Sequence, residues 1–116
     1  MGVALAVQGR LQEALGEFRE AERLEPAYAD PPYNMALAYE KLGRPEEAIA
    51  SYTRALQLAP DNADAHYNLA MLLAGRGRLR EAATLLSRLL RIEPGYPHAS
   101  DDLRSLQRTL RSAPAP

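Results

Sequence analysis

Apolar residues recur along this chain at three- and four-residue steps, the spacing that gathers them on one side of a helix. Between residues 45 and 60 the stripe is Ala48, Tyr52, Ala55 and Leu56; between residues 31 and 42 it is Met35, Ala36, Ala38 and Tyr39. Toward the C-terminus Leu103, Leu106 and Leu110 form one apolar edge, and Asp101, Asp102, Arg104, Gln107, Arg108 and Arg111 make the rest of that segment polar. Punctuation agrees with the stripes. Pro45 falls where a first-turn proline is tolerated, and Pro60 follows the last apolar residue, where a helix should stop. The elements predicted are helices joined by short turns.

The stripes repeat. Pro26, Pro60 and Pro94 are evenly spaced, and Gly9, Gly43 and Gly77 keep the same interval. So do Ala14, Ala48 and Ala82, each preceded by a glutamate (Glu13, Glu47, Glu81). Columns that share one period imply one structural unit used several times. Within each unit the glycine is expected to divide two helical stretches, as a left-handed turn residue. Small alanines let paired helices approach closely, and large residues fill the gaps: Tyr39 and Tyr52 in one unit, Leu73 and Leu86 in the next.

Composition narrows the class. Alanine and leucine supply 40 of 116 residues while Val, Ile and Phe are scarce, which favours an all-helical chain. With 47% apolar and 25% charged residues the balance is that of a soluble globular domain. No cysteine is present, which excludes a disulfide scaffold, a thiolate metal site and a thiol nucleophile. The net charge of −1 disfavours nucleic-acid binding driven by overall charge. No apolar run is long enough for a membrane helix, so no membrane partner is expected. His66 and His98 lie far apart in the chain and do not make a metal site, so neither a metal nor another cofactor is expected. No phosphate loop, nucleophile elbow or paired-carboxylate constellation is visible, and the chain reads as noncatalytic.

The pattern resembles the tetratricopeptide repeat, which has a period of about 34 residues and is built from helix–turn–helix units. Large and small side chains stand at its fixed places, and a proline ends each unit. The second unit matches it best, through Ala36, Tyr39, Gly43, Ala48, Tyr52, Ala55 and Pro60. The chain departs from the pattern at Pro32 in the second unit and His66 in the third, where a bulky aromatic is usual, and at Leu89 in the third, where a small residue is usual. The resemblance implies an all-α solenoid of antiparallel helix pairs with a right-handed superhelix. The expected organisation is a single domain over 1–112: a partial repeat 1–28, repeats 29–62 and 63–96, and a capping helix 97–112, then a disordered tail 113–116. In this register Met1 falls at the seventh repeat position, so about half of the first helix is missing. MGVALAVQG is then the remainder of that helix; it lacks the basic start and the apolar core of a signal peptide.

The resemblance also implies a concave groove lined mainly by the first helix of each pair, as in stacked repeats generally. Candidates for that surface are Tyr33, Asn34, Leu37 and Lys41 in one unit, with Asp30 and Glu40 beside them. Tyr67, Asn68 and Met71 are their counterparts, with Asp64 and Gly75, and Asp102 and Ser105 extend the row onto the cap. Asn34 and Asn68 occupy one register position in identical Tyr-Asn dipeptides. A carboxamide both donates and accepts, so it can pair with a peptide backbone whatever the side chains. In tetratricopeptide domains of protein glycosyltransferases such asparagines form a ladder, and these resemble two rungs; helix orientation is the competing role. Tyr33 and Tyr67 offer apolar area with a polar tip, and Leu37 with Met71 an adaptable floor or ordinary packing. A clamp for acidic C-terminal tails is rejected, because Asp64 and Asn68 replace its basic partners and its first-unit position is Val3 or precedes Met1.

The partner expected is therefore a protein or peptide. Self-assembly is the alternative, through the truncated N-terminal edge at Val3, Leu5, Val7 and Leu11. Another is that the chain presents substrate within a larger enzyme, such as a glycosyltransferase. Charge is uneven, with −4 over residues 1–62 and +3 over 63–116. Arg76, Arg78 and Arg80 cluster at one turn, and Arg104, Arg108 and Arg111 step along the cap. A solvated surface, with arginines pairing to Glu81 and Asp102, is the expected reading. The location expected is cytoplasmic.

Overall fold

The computed structural model describes residues 2–112, with side chains from residue 7 onward. It is all-α: α1 (Gly2–Leu24), α2 (Asp30–Lys41), α3 (Pro45–Leu58), α4 (Ala63–Gly75), α5 (Leu79–Ile92) and α6 (Ala99–Ser112). No strand forms among the described residues. The chain divides into two compact units, Met1–Pro60 and Asp61–Pro116. In unit 1, α2 packs on α3 and on α1; in unit 2, α5 packs on α4 and on α6.

The repeated residues build repeated joints. Gly43 and Gly77 have φ of 73° and 80°, the left-handed conformation that suits glycine. Around them the same bonds recur one repeat apart. The Arg44 and Arg78 N–H groups donate to the Tyr39 and Leu73 carbonyls, each over 2.9 Å. The Gly43 and Gly77 N–H groups donate to Glu40 and Ala74, each over 3.0 Å. These bonds satisfy carbonyls that the ends of α2 and α4 would otherwise leave unpaired. The prolines act at the other end of each hairpin: α1, α3 and α5 stop at Leu24, Leu58 and Ile92, two positions before Pro26, Pro60 and Pro94. α4 starts with a side-chain cap, since Asn62 Oδ1 accepts from the Ala65 N–H at 3.0 Å.

Gly9 breaks the series. It lies inside the continuous helix α1, not in a left-handed turn, so residues 2–9 run on into residues 10–24 as one helix. A glycine fits a helix interior as well as a left-handed turn, so its register column alone does not fix its conformation. Continuing α1 keeps the backbone hydrogen-bonded at about 1 kcal/mol for the glycine.

Small residues set the spacing of the pairs. In unit 1, Ala36, Ala48, Tyr52 and Ala55 are fully buried, and in unit 2 Ala65, Ala70, Ala82, Leu86 and Leu89 are. His66, at an aromatic position of the repeat, is buried and its Nδ1 lies 2.9 Å from the Asn62 carbonyl oxygen. Across helices of unit 1, Arg19 donates to the Tyr39 hydroxyl at 2.8 Å and Arg54 pairs with Glu22 at 2.7 Å. The side chains of Val3 and Leu5 and the tail 113–116 lie outside the described residues. Of the remaining expected edge, Val7 is exposed and Leu11 half-buried.

Candidate functional site

In unit 1, three predicted site residues meet. Asn34, Leu37 and Lys41 project one turn apart from α2, and with Ala38 they form one wall of a cleft of about 210 Å³. Leu11, Ala14 and Phe18 of α1 form the other wall. Asn34 is half-buried there, and no hydrogen-bonding partner takes up its carboxamide among the described residues. Lys41 is exposed at the mouth. Tyr33 turns elsewhere: its ring lies against that of Tyr52, 6.0 Å between centroids and tilted by 58°.

In unit 2 the counterparts are already engaged with one another. The Tyr67 hydroxyl donates to Asp102 Oδ2 at 2.8 Å, joining α4 to α6. The Tyr67 ring packs on Tyr96, with centroids 5.1 Å apart, and the Tyr96 hydroxyl donates to Asp64 Oδ1 at 2.7 Å. The Asp102 carboxylate holds the Tyr67 phenol above its ordinary pKa, first through this hydrogen bond, then with partial burial and the repulsion of a second negative charge. Among the described residues Asp102 pairs with no arginine, contrary to the expectation from the charge pattern; Arg104 approaches Asp101 instead, at 3.9 Å, while Arg78 does pair with Glu81 at 2.8 Å. The reason is geometric: residues three apart share a helix flank, which sets Arg104 beside Asp101, while Asp102 faces α4. Asn68 and Met71 are half-buried on α4.

Sequence reasoning missed the α1 wall and Tyr96. Phe18 shares a register column with Tyr52 and Leu86, and Tyr96 shares one with Tyr28 and Asn62. The columns were therefore visible, but not which members stay open to solvent. His98, before α6, has a φ of 65° and accepts the Asp102 N–H at its carbonyl over 2.9 Å, which marks the start of the cap helix. No described helix is long and apolar enough to cross a membrane.

Comparison with known proteins agrees with this architecture. A family model described as tetratricopeptide repeat matches residues 33–97, and a second, described as TPR repeat, matches residues 2–43. Among solved structures, the first TPR domain of Spaghetti (RPAP3), bound to the HSP90 peptide SRMEEVD, is 26% identical, with a TM-score of 0.80. The match covers 90% of this chain and 83% of that one. The second TPR domain of human RPAP3, in complex with the HSP70 peptide SGPTIEEVD, is 26% identical over 91% of this chain and 88% of that one, at a TM-score of 0.75. The translocator chaperone SycD of Yersinia enterocolitica shares the fold at 17% identity and a TM-score of 0.78, with 89% of this chain and 76% of that chain covered. No curated protein sequence matched. With the repeat register, the paired glycine joints and a family model spanning more than half of the chain in agreement, this protein belongs to the tetratricopeptide repeat family.

Proposed function

We propose that the chain is a noncatalytic interaction module that holds a peptide or a partner helix against the first-helix faces, α2 in unit 1 and α4 in unit 2. The observation that carries this reading is the half-buried Asn34 carboxamide, which stands in an apolar cleft with its donor and acceptor untaken among the described residues. Partial burial strengthens whatever hydrogen bond a ligand brings there, and each such bond contributes about 0.5–1.5 kcal/mol. Tyr33, Leu37 and Lys41 border Asn34 on α2, and Tyr67, Asn68 and Met71 occupy the same register on α4. The peptides bound by the RPAP3 domains support a peptide as the ligand class.

Their acidic tails are a poor match for unit 2. Asp64 and Asp102, two acidic side chains, accept from tyrosine hydroxyls there. An EEVD-type tail would bring further negative charge against them.

The test is a pull-down with the intact chain, followed by quantitative binding of the recovered partner to the variant carrying both Asn34→Ala and Asn68→Ala. The expected result is weaker binding by about tenfold with helix content and melting nearly unchanged, since two hydrogen bonds of this size sum to roughly 1–3 kcal/mol. Binding equal to that of the parent would overturn the asparagine assignment.

A further inference from the structure

Two helices carry rows of charge with one spacing and opposite signs. On α1 the row is Arg10, Glu13, Glu17 and Glu20; on α6 it is Asp101, Arg104, Arg108 and Arg111. Steps of three, four and three residues keep each row on one face of its helix, over about 15 Å of axis. All eight residues are exposed. Read from the N-terminal end, the first row is a cation followed by three anions, and the second an anion followed by three cations. Little within the chain neutralises them. Glu20 pairs with Arg23 over 3.0 Å, and Arg104 approaches Asp101 only to 3.9 Å. Arg108 donates to the Ser105 hydroxyl at 3.4 Å. The side chains of Arg10, Glu13, Glu17 and Arg111 have no ion-pair or hydrogen-bonding partner among the described residues.

The α6 row identifies what fits it. Arg104 stands one repeat after Ala70, which is fully buried, so a register position used for packing on α4 is charged on α6. An apolar helix laid there would strip water from the guanidiniums and return no counter-charge. The occupant must bring carboxylates at matching intervals, and α1 carries them. We propose that α6 of one copy docks against α1 of a second copy, side by side and parallel. Asp101 then faces Arg10, Arg104 faces Glu13, Arg108 faces Glu17 and Arg111 faces Glu20. The signs select this arrangement. Parallel alignment makes four attractive pairs. Antiparallel alignment sets Arg111 beside Arg10 and Asp101 beside Glu20, two repulsions against two attractions. When α1 meets α1, or α6 meets α6, like charges face each other in either direction. The contact is thus heterologous, using different faces of the two copies. Arginine suits it, since its planar fork matches a carboxylate. Exposed pairs of this kind are individually weak and screened by salt, so the assembly is a weak one that forms at high protein concentration and low ionic strength. The inference is independent of any ligand held on α2 and α4, because it uses neither helix.

Sedimentation velocity of the full chain, over a concentration series reaching the millimolar range, tests this. It is run in low salt and again at about 1 M, where the Debye length is about 3 Å. Average mass is expected to rise with concentration in low salt and to fall back to that of one chain in high salt. Two full-length variants separate the rows: one carries Glu13→Lys, Glu17→Lys and Glu20→Lys, the other Arg104→Glu, Arg108→Glu and Arg111→Glu. In each, self-association is expected to weaken by about tenfold or more, with the helix content of the parent. Mixing the two restores association, because the first keeps its basic α6 row and the second its acidic α1 row. Should a triple variant misfold, single changes carry the test: Glu17→Lys and Arg108→Glu each weaken association, and the chain carrying both regains it. A single chain at every concentration in low salt would overturn the proposal. So would association that survives high salt, or that neither the mixture nor the paired change restores. A chain that stays single, while Arg108→Glu loses affinity for the pulled-down partner, would overturn it in favour of a foreign acidic protein on the α6 row.

Discussion

The hydroxyl of Tyr67 on α4 points at the carboxylate of Asp102 on α6, 2.8 Å away and 35 residues on in sequence. Two residues expected to await a ligand thus fasten the cap helix to the repeat before it. Tyr67→Phe keeps the ring contact with Tyr96 and removes only the bond. It is expected to lower stability by about 0.5–1.5 kcal/mol in urea denaturation, with no change in helix content.

The same bond has a pH signature. Asp102 holds the Tyr67 phenol above its ordinary value of about 10. Because the folded value is raised, the stabilisation is complete below the unfolded-chain value and is lost as pH rises through the folded one. Ultraviolet titration of the phenolate absorbance is expected to show a tyrosine that ionises late, and Tyr67→Phe removes it. Tyr28 also ionises late, through its hydrogen bond to Asp30, and remains in the variant.

Glycines in one register column are expected to respond with opposite signs. Gly43→Ala and Gly77→Ala place a Cβ at positive φ and cost about 1–2 kcal/mol each. Gly9→Ala, in the middle of α1 with no atom within 4 Å of the added carbon, stabilises by up to about 1 kcal/mol. Thermal melts of the three variants check this. A destabilised Gly9→Ala would place a turn at Gly9 after all.

The half-open stripe on α1 predicts unequal truncation costs. Leu86→Ala empties a fully buried site and costs about 2–5 kcal/mol. Phe18→Ala removes a larger side chain but a half-exposed one, and costs roughly 1–2 kcal/mol. Chemical denaturation measures both.

Asn62 caps α4 through the Ala65 N–H. Asn62→Ala is expected to cost about 1 kcal/mol, and Asn62→Ser little, because a hydroxyl accepts the same bond. Melting temperatures of the two variants test the cap.

Why some of this was legible beforehand and some was not follows from where each feature is determined. The turns at Gly43 and Gly77 and the stops at Pro60 and Pro94 are local, and the residue types that make them stand in the register itself. Gly9 stands in the same column, but glycine adopts helical and left-handed φ with similar ease, so the column does not state which it takes. Tyr67 and Asp102 were both expected at groove-facing positions; that they reach each other depends on how closely α6 lies to α4. Phe18 reads like Tyr52 and Leu86, and only the packing distinguishes the open member from the covered ones. Periodicity reports which side of a helix is apolar. It does not report what covers that side.

The central claim, that partners are held on the first-helix faces, is tested most directly by titrating the pulled-down partner into the ¹⁵N-labelled chain. The claim predicts that amide signals of Tyr33, Asn34, Leu37 and Lys41 on α2, and of Tyr67, Asn68 and Met71 on α4, shift with partner concentration. Exposed positions of α3 and α5, such as Thr53, Gln57, Thr84 and Arg88, stay in place. Shifts centred on those α3 and α5 positions, with α2 and α4 unmoved, would contradict it.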